Sequence, residues 1–431
     1  MADSSALSEL QFDKPQQQDL DKCVHCGLCL NACPTYRELG VEMDSPRGRI
    51  YQMVQVAAGA PITDSYREHM DLCLACRACE TACPSGVQYG KLIEAARAEI
   101  QNKSEFPWHV KALRAFVYGP LLRSPALMTL AGTGLWLYQA SGLQKLARAS
   151  GLLKLTGLES MEALTPAAQI PFFFKNIGKV YPAVGARKHK VAFLAGCIQN
   201  VSFARLNEAT VRVLQKNGCE VHIPEHQNCC GALHAHAGVR TEARRLARRN
   251  IDTMLAGGFD AIISNTGGCG STLKEYDELL EHDPAYAEKA KEFVRRMRDV
   301  NEFLGSIELN TEMRALNLVV TYQDSCHLAH GQKVRTQPRQ LLRAIPGLEL
   351  REMVGSDLCC GSAGVYNVLH TDLAMDILRS KFQSVERTGA TVIASSNPGC
   401  MLQMETGARL FGQNQKVWHV VQLLDMAYQR D

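Results

Sequence analysis

The chain carries almost no net charge. Its 47 lysines and arginines stand against 44 aspartates and glutamates, leaving a formal charge of +3, too little to implicate a nucleic-acid partner. It also lacks the common cofactor and nucleophile signatures. No G-x-G-x-x-G loop lies between a strand and a helix, there is no P-loop, and no Ser/His/Asp arrangement offers a nucleophile. The chain therefore reads as having no flavin or nicotinamide site of its own. The stretch Met1 to Gln18 lacks the basic patch and apolar run that export requires, so a cytoplasmic location is expected. Long uncharged runs are scarce too. The one exception, Ser124 to Gln144, is 21 residues long and is diluted by three glycines, two threonines, two serines and two glutamines. A bilayer span is more uniformly apolar. The expectation is a buried core helix. The alternative is a surface-lying or partner-facing helix, with a peripheral seat on the inner face of the cell membrane.

Cysteine is what the sequence has in excess, at 17 residues. A chain of 431 residues has room for two or three domains with their own cores and needs no disulfide staples. In a reducing compartment, clustered cysteines are metal ligands or redox groups. Eight lie between Cys23 and Cys83, none from there to Cys197, and nine from Cys197 to Cys400. The first eight form CVHCGLCLNACP and CLACRACETACP, two undeviating copies of C-x2-C-x2-C-x3-C-P. Three thiolates on one tight loop grip three irons of a cubane, and the fourth, turned away by the following proline, reaches the neighbouring cubane. Cys23, Cys26, Cys29 and Cys83 are thus expected to hold one 4Fe-4S cluster, and Cys73, Cys76, Cys79 and Cys33 a second. Zinc sites bring together two C-x2-C pairs instead. Between the motifs, Ser45 and Pro46 read as the N-cap and first residue of a helix. Its Arg47 and Arg49 either approach a cluster, raising its potential, or lie on a solvated face. His25 reads as a donor to a cluster sulfur or a solvent-exposed residue, not as a ligand.

The C-terminal half repeats itself. Cys197, Cys229-Cys230 and Cys269 recur as Cys326, Cys359-Cys360 and Cys400, at offsets of 129, 130, 130 and 131 residues. Apolar runs precede the first and last cysteine of each copy, VAFLAG and AIISNTGG, then LVVTYQDS and VIASSNPG, and helical stretches lie between. Strands alternating with helices imply a parallel sheet, with the cysteines gathered at its carboxyl edge. Each copy therefore reads as one α/β domain. Cys219, the one cysteine outside these sets, reads as a small core residue at the start of a strand. The adjacent pairs, each followed by a glycine that lets the backbone turn close to a cluster, point to metal or redox chemistry. Whether each quartet holds a further cluster, zinc or nothing stays open. His234, His236, His327 and His330 lie close enough in sequence for a mixed Cys/His zinc site, though each singly reads as a hydrogen-bonding residue.

CVHCGLCLNACPTYRELG, DSPRGRIY, CLACRACETACPSGV and the pairs in NCCGA and LCCGSAG, in this order over nearly the whole chain, resemble the iron-sulfur subunit of bacterial glycolate oxidase. The resemblance implies an α+β multidomain fold. Residues 1–100 form a mainly α-helical two-cluster ferredoxin-type domain and 101–187 a helical segment and connector. Residues 188–310 and 311–431 form two repeated α/β cysteine-rich (CCG) domains. It implies partners as well: flavoprotein subunits carrying the flavin oxidise glycolate, and this subunit passes the electrons to a quinone or other respiratory acceptor without oxidising glycolate alone. Iron-sulfur subunits of lactate-utilisation complexes and of anaerobic glycerol-3-phosphate dehydrogenase share the layout. In the related heterodisulfide reductase subunits the domain ends in C-x2-C and is catalytic. Here Thr272 and Gln403 replace the second cysteines, which weakens that reading and leaves no residue assigned as catalytic.

Overall fold

A computed structural model describes residues 12–158, 162 and 164–429; the first eleven residues of the polar start lie outside them. Before Val180 the described residues form helices and no strand. Local chemistry sets their ends. The helix Pro34–Leu39 starts on the proline after Cys33 and stops at Gly40, whose φ of 67° suits a residue without a Cβ. The helix Pro46–Ala57 is capped as the sequence implies, with Ser45 Oγ accepting from the Gly48 amide at 3.0 Å. This helix, Asp64–Asp71 and Tyr89–Lys103 close a small core of Met53, Met70, Leu92, Ile93 and Ala96, into which Cys73 and Cys79 also pack.

The uncharged stretch becomes the helix Pro125–Ala140, and here the expectation of a core helix fails. Gly132 is its one buried residue, while Leu130 and Leu137 are 69% and 52% exposed. Apolar side chains surround this helix, but among the described residues Gly132 is the one position of it that is fully covered. There Gly132 allows a close approach, since a Cβ would come within 2.6 Å of Val201. No described helix is long and apolar enough to cross a membrane.

Two sheets follow. In the first, β1 (Val180–Tyr181), β2 (His189–Phe193), β3 (Cys219–His222), β4 (Ala261–Ser264) and β5 (Met297–Asp299) lie in the order β1-β3-β2-β4-β5. All pairs are parallel except the edge pair β1-β3. In the second, β6 (Leu318–Gln323), β7 (Leu348–Arg351), β8 (Val392–Ser395) and β9 (Lys416–His419) are parallel throughout, in the order β7-β6-β8-β9. Strands β4 and β8 are buried along their whole length, as apolar strands covered on both faces are. Cys219 is fully buried in β3. One hydrophobic core joins the copies, running from Val191 and Phe193 through Val320 and Tyr322 to Leu423 and Leu424. Across it, the helices Ala204–Lys216 and Val420–Tyr428 are tied by a bidentate Arg212–Asp425 pair at 2.9 and 2.7 Å.

His419 caps that last helix. Its Nδ1 accepts from the Val421 amide at 3.1 Å, and its own amide donates to Gln422 Oε1 at 2.8 Å. Burial lowers its pKa to about 4, against an ordinary value of about 6.5. A depressed folded-state pKa contributes stability that is present above pH ~6.5 and is lost as the pH falls towards 4, up to about 3 kcal/mol. Thermal melting followed from pH 7 to 4.5 should therefore fall less steeply for His419→Asn than for the unaltered chain. Equal slopes would acquit His419.

Candidate metal centre

The two cysteine loops of the helical domain share one backbone trace. His25 and Ala75, the second residues after Cys23 and Cys73, have φ of 53° and 48°. Gly27 and Arg77, one residue after Cys26 and Cys76, have φ of 83° and 63°. Left-handed backbone at non-glycine residues is costly and persists where surroundings hold it. Arg77 is held by Glu80 at 3.1 Å, by Ser271 Oγ at 3.2 Å and by Glu275. The first loop faces outward: Cys26 is exposed, and Cys23 and Cys29 are half-buried, as is Cys83 from the second motif. His25 is exposed. Above this loop Arg47 donates to the His25 carbonyl at 3.1 Å and to Glu42 at 2.7 Å. It fills the space that a Cβ on Gly27 would occupy.

The second loop is buried, and so is Cys33. The Cys79 thiol is pushed well above the ordinary range, by burial first and then by the charges of Cys76, Cys73 and Cys33. The fourth cysteine of the first motif thus stands with the first three of the second. Burial and the neighbouring charges oppose deprotonation of Cys79 and Cys33, so a cation that joins the four thiols would stabilise their thiolates. Donors are aimed at them already, with the Ala75 amide 3.3 Å and the Tyr89 hydroxyl 3.8 Å from Cys73 Sγ. Beneath lies Arg49, fully buried, donating to the His69 carbonyl at 2.6 Å, Thr35 Oγ1 at 3.1 Å and Asp44 at 3.2 Å. Burial opposes its charge, but Cys73, Tyr89, Cys33 and Asp44 outweigh that and raise its pKa. Of the two arginines, Arg49 is the one inside. None of the 17 cysteines is paired in a disulfide. No three His, Cys, Asp or Glu among the described residues converge as ligands of a single ion. A cubane seats each thiolate on a different iron, so it calls for spread thiols, not for convergence on one ion.

The C-terminal quartets close in the same way. Cys197 Sγ lies 3.5 Å from Cys229 Sγ, Cys229 contacts Cys230, and Cys230 contacts Cys269. In the second copy Cys326 contacts Cys359, Cys359 contacts Cys360, and Cys360 contacts Cys400. Each of these cysteines follows a parallel strand, β2, β3 and β4 or β6, β7 and β8, and so stands at the carboxyl edge of its sheet. Gly361 has φ of 89°, and a Cβ there would come within 2.5 Å of the Ala374 carbonyl. The histidines have other partners: His327 the Ala75 carbonyl at 2.9 Å, His330 Thr81 at 2.9 Å, His234 the Tyr118 carbonyl at 2.8 Å and His236 Glu94 at 2.7 Å. Thr272 and Gln403 are buried, with Gln403 accepting from Asn367 at 2.9 Å.

Two features escape a reading of the cysteines alone. The buried second loop docks into the seam between the repeats, and there the Cys76 and Cys359 thiols are in hydrogen-bond contact. The second is Lys381, fully buried in the helix Thr371–Glu386. It donates to the carbonyls of Gly355, Ser356 and Leu358 at 2.7, 2.9 and 3.1 Å. Burial lowers its pKa to about 8. A sequence signal exists, because Lys381 falls on the apolar stripe Ala374, Ile377, Leu378, Phe382, Val385.

Residues 19–87 match the 4Fe-4S dicluster domain, residues 109–165 the linker region of the glycolate oxidase iron-sulfur subunit, and residues 191–274 and 320–405 the cysteine-rich CCG domain. The chain is 41% identical to the probable glycolate oxidase iron-sulfur subunit of Bacillus subtilis, over 99% of this chain and 98% of that one. It is 32% identical to the glycolate oxidase iron-sulfur subunit of Escherichia coli, over 96% and 95%. Lactate utilization protein A of Bacillus subtilis is 30% identical over 55% of this chain and 99% of its own length.

Proposed function

The chain belongs to the family of glycolate oxidase iron-sulfur subunits, and from that premise we propose how its residues serve electron transfer within such a complex. The observation that carries the reading is the crowding of Cys33, Cys73, Cys76 and Cys79 over the buried Arg49. These four are assigned to one 4Fe-4S cluster, and Cys23, Cys26, Cys29 and Cys83 to the other. Each cluster, when bound, takes up and releases one electron. The chain's own residues set the conditions for that exchange. Arg49 offsets the charge of thiolates buried away from water, and the Ala75 amide and Tyr89 hydroxyl donate to Cys73, which favours the reduced form. The exposed first loop, with Cys26 at the surface, is the side from which a redox partner can approach.

The flavin belongs to a flavoprotein subunit of the complex, and the electrons go on to a quinone or another respiratory acceptor, with the chain peripheral on the inner face of the membrane. The exposed apolar side chains Trp108, Leu113, Leu130 and Leu137, on two helices of the linker region, support a docking role for it. The lactate relative aligns with little more than half of this chain, whereas the glycolate relatives span it, which favours glycolate over lactate. The test is dye reduction by glycolate. The purified chain alone should give none, and adding it to its flavoprotein should restore transfer to a quinone. Glycolate oxidation by the chain alone would overturn the proposal.

A further inference from the structure

The two quartets are built alike but are electrically different. The helices Arg240–Leu255 and Thr371–Glu386 have the same length and the same place in their repeats, and their eleventh residues are Asn250 and Lys381. Both hold the loop that carries the cysteine pair. Asn250 accepts from the Asn228 amide at 2.9 Å and donates to the Cys229 carbonyl at 3.0 Å. Lys381 holds the matching loop by three carbonyls. A neutral amide is evidently enough to hold the loop, so the charge in the second copy has another use. Three carbonyl acceptors call for three N–H donors, which is the ammonium form. A buried ammonium is costly without an anion. The nearby carboxylates are engaged elsewhere: Asp324 with Arg339 at 2.7 Å and Asp357 with Arg335 at 3.3 Å. Among the described residues no carboxylate forms an ion pair with Lys381; the negative groups that act on it are Cys360 first, then Asp324, Cys359 and Asp357, of which the two carboxylates are already paired with arginines.

We propose that Lys381 makes the second quartet, and not the first, the redox-active site of the pair, by offsetting the negative charge that an iron-sulfur group on four thiolates carries and increases on reduction. The Cys76–Cys359 contact places this quartet against the buried ferredoxin-type cluster. The inference rests on the assignment of Cys76 to a 4Fe-4S cluster made above. The step is a one-electron transfer, in which the reduced cluster on Cys76 is oxidised by one electron and the group on Cys326, Cys359, Cys360 and Cys400 is reduced by one. No bond is made or broken.

The test is a potentiometric titration of the whole chain, reconstituted anaerobically with iron and sulfide and followed by electron paramagnetic resonance. Beyond the ferredoxin-type signals, one further signal is expected, lost in Cys360→Ser and retained in Cys230→Ser. Lys381→Met should lower its reduced-to-oxidised ratio at fixed potential about tenfold, ~59 mV for one electron, and leave the ferredoxin-type potentials in place. Lys381→Arg should restore it. A merely structural lysine would not move one potential selectively. The inference is overturned if the ferredoxin-type signals are present and no further one appears, if the further signal depends on Cys230, or if Lys381→Met leaves it unmoved. Should Lys381→Met not fold, the cysteine pair of variants decides alone. Absence of the ferredoxin-type signals themselves would instead sink the assignment of Cys76.

Discussion

Cys33→Ser should abolish the cluster whose other three ligands lie forty or more residues away, at Cys73, Cys76 and Cys79, and leave the one on its own loop. About four irons should be lost. The residual spectrum of the reduced protein should match that of Cys76→Ser. Cys83→Ser should likewise match Cys26→Ser. The physical reason is the chain direction after each motif. Pro34 starts a helix immediately behind Cys33 and Pro84 follows Cys83, so neither fourth cysteine can fold back onto its own loop. Cys33 is buried beside Cys79, while Cys26 stays exposed. If Cys33→Ser instead matched Cys26→Ser, each motif would serve its own cluster and the assignment would be wrong.

Arg49→Met should have the largest effect on stability. Removing the guanidinium leaves the Asp44 carboxylate buried with His69 Nδ1 at 2.9 Å as its remaining ionisable partner. Breaking a buried pair in this way costs about 3–5 kcal/mol, to be read from the denaturant midpoint of the loaded protein. The same change removes the positive charge facing Cys33 and Cys73. The midpoint potential of the buried cluster should therefore fall while that of the outer cluster stays put. Arg49→Lys should recover part of the potential and less of the stability, because one ammonium cannot reproduce the fork that reaches Asp44, Thr35 and the His69 carbonyl together. An unchanged potential in Arg49→Met would mean that Arg49 is purely a structural tie.

Much of this was legible from spacing. The cysteine offsets fix the repeat, and the strand before each cysteine follows from apolar runs such as AIIS and VIAS, which are buried on both faces. The Ser45 cap is equally local. The fate of Ser124 to Gln144 was not legible, because an apolar helix announces its hydrophobicity but not whether a neighbour covers it, and here Gly132 alone is buried. The choice between Arg47 and Arg49 needed the structure as well, since they sit two residues apart and one reaches the surface while the other lies beneath Cys73. The Cys76–Cys359 contact joins residues far apart in sequence, and no local periodicity encodes it. Lys381 lay in between: its place on an apolar stripe marks it as unusual, but the loop it holds and the neutral Asn250 doing the same work in the other repeat appear only in three dimensions.

The most direct test of the account is iron, sulfide and zinc content, with spectroscopy of the reduced state, on an anaerobically purified chain in which Cys229, Cys230, Cys359 and Cys360 are all serine. About eight irons and eight sulfides, no stoichiometric zinc, and the signal of two magnetically interacting 4Fe-4S clusters are expected. Stoichiometric zinc in place of iron, or a single isolated cluster, would contradict it.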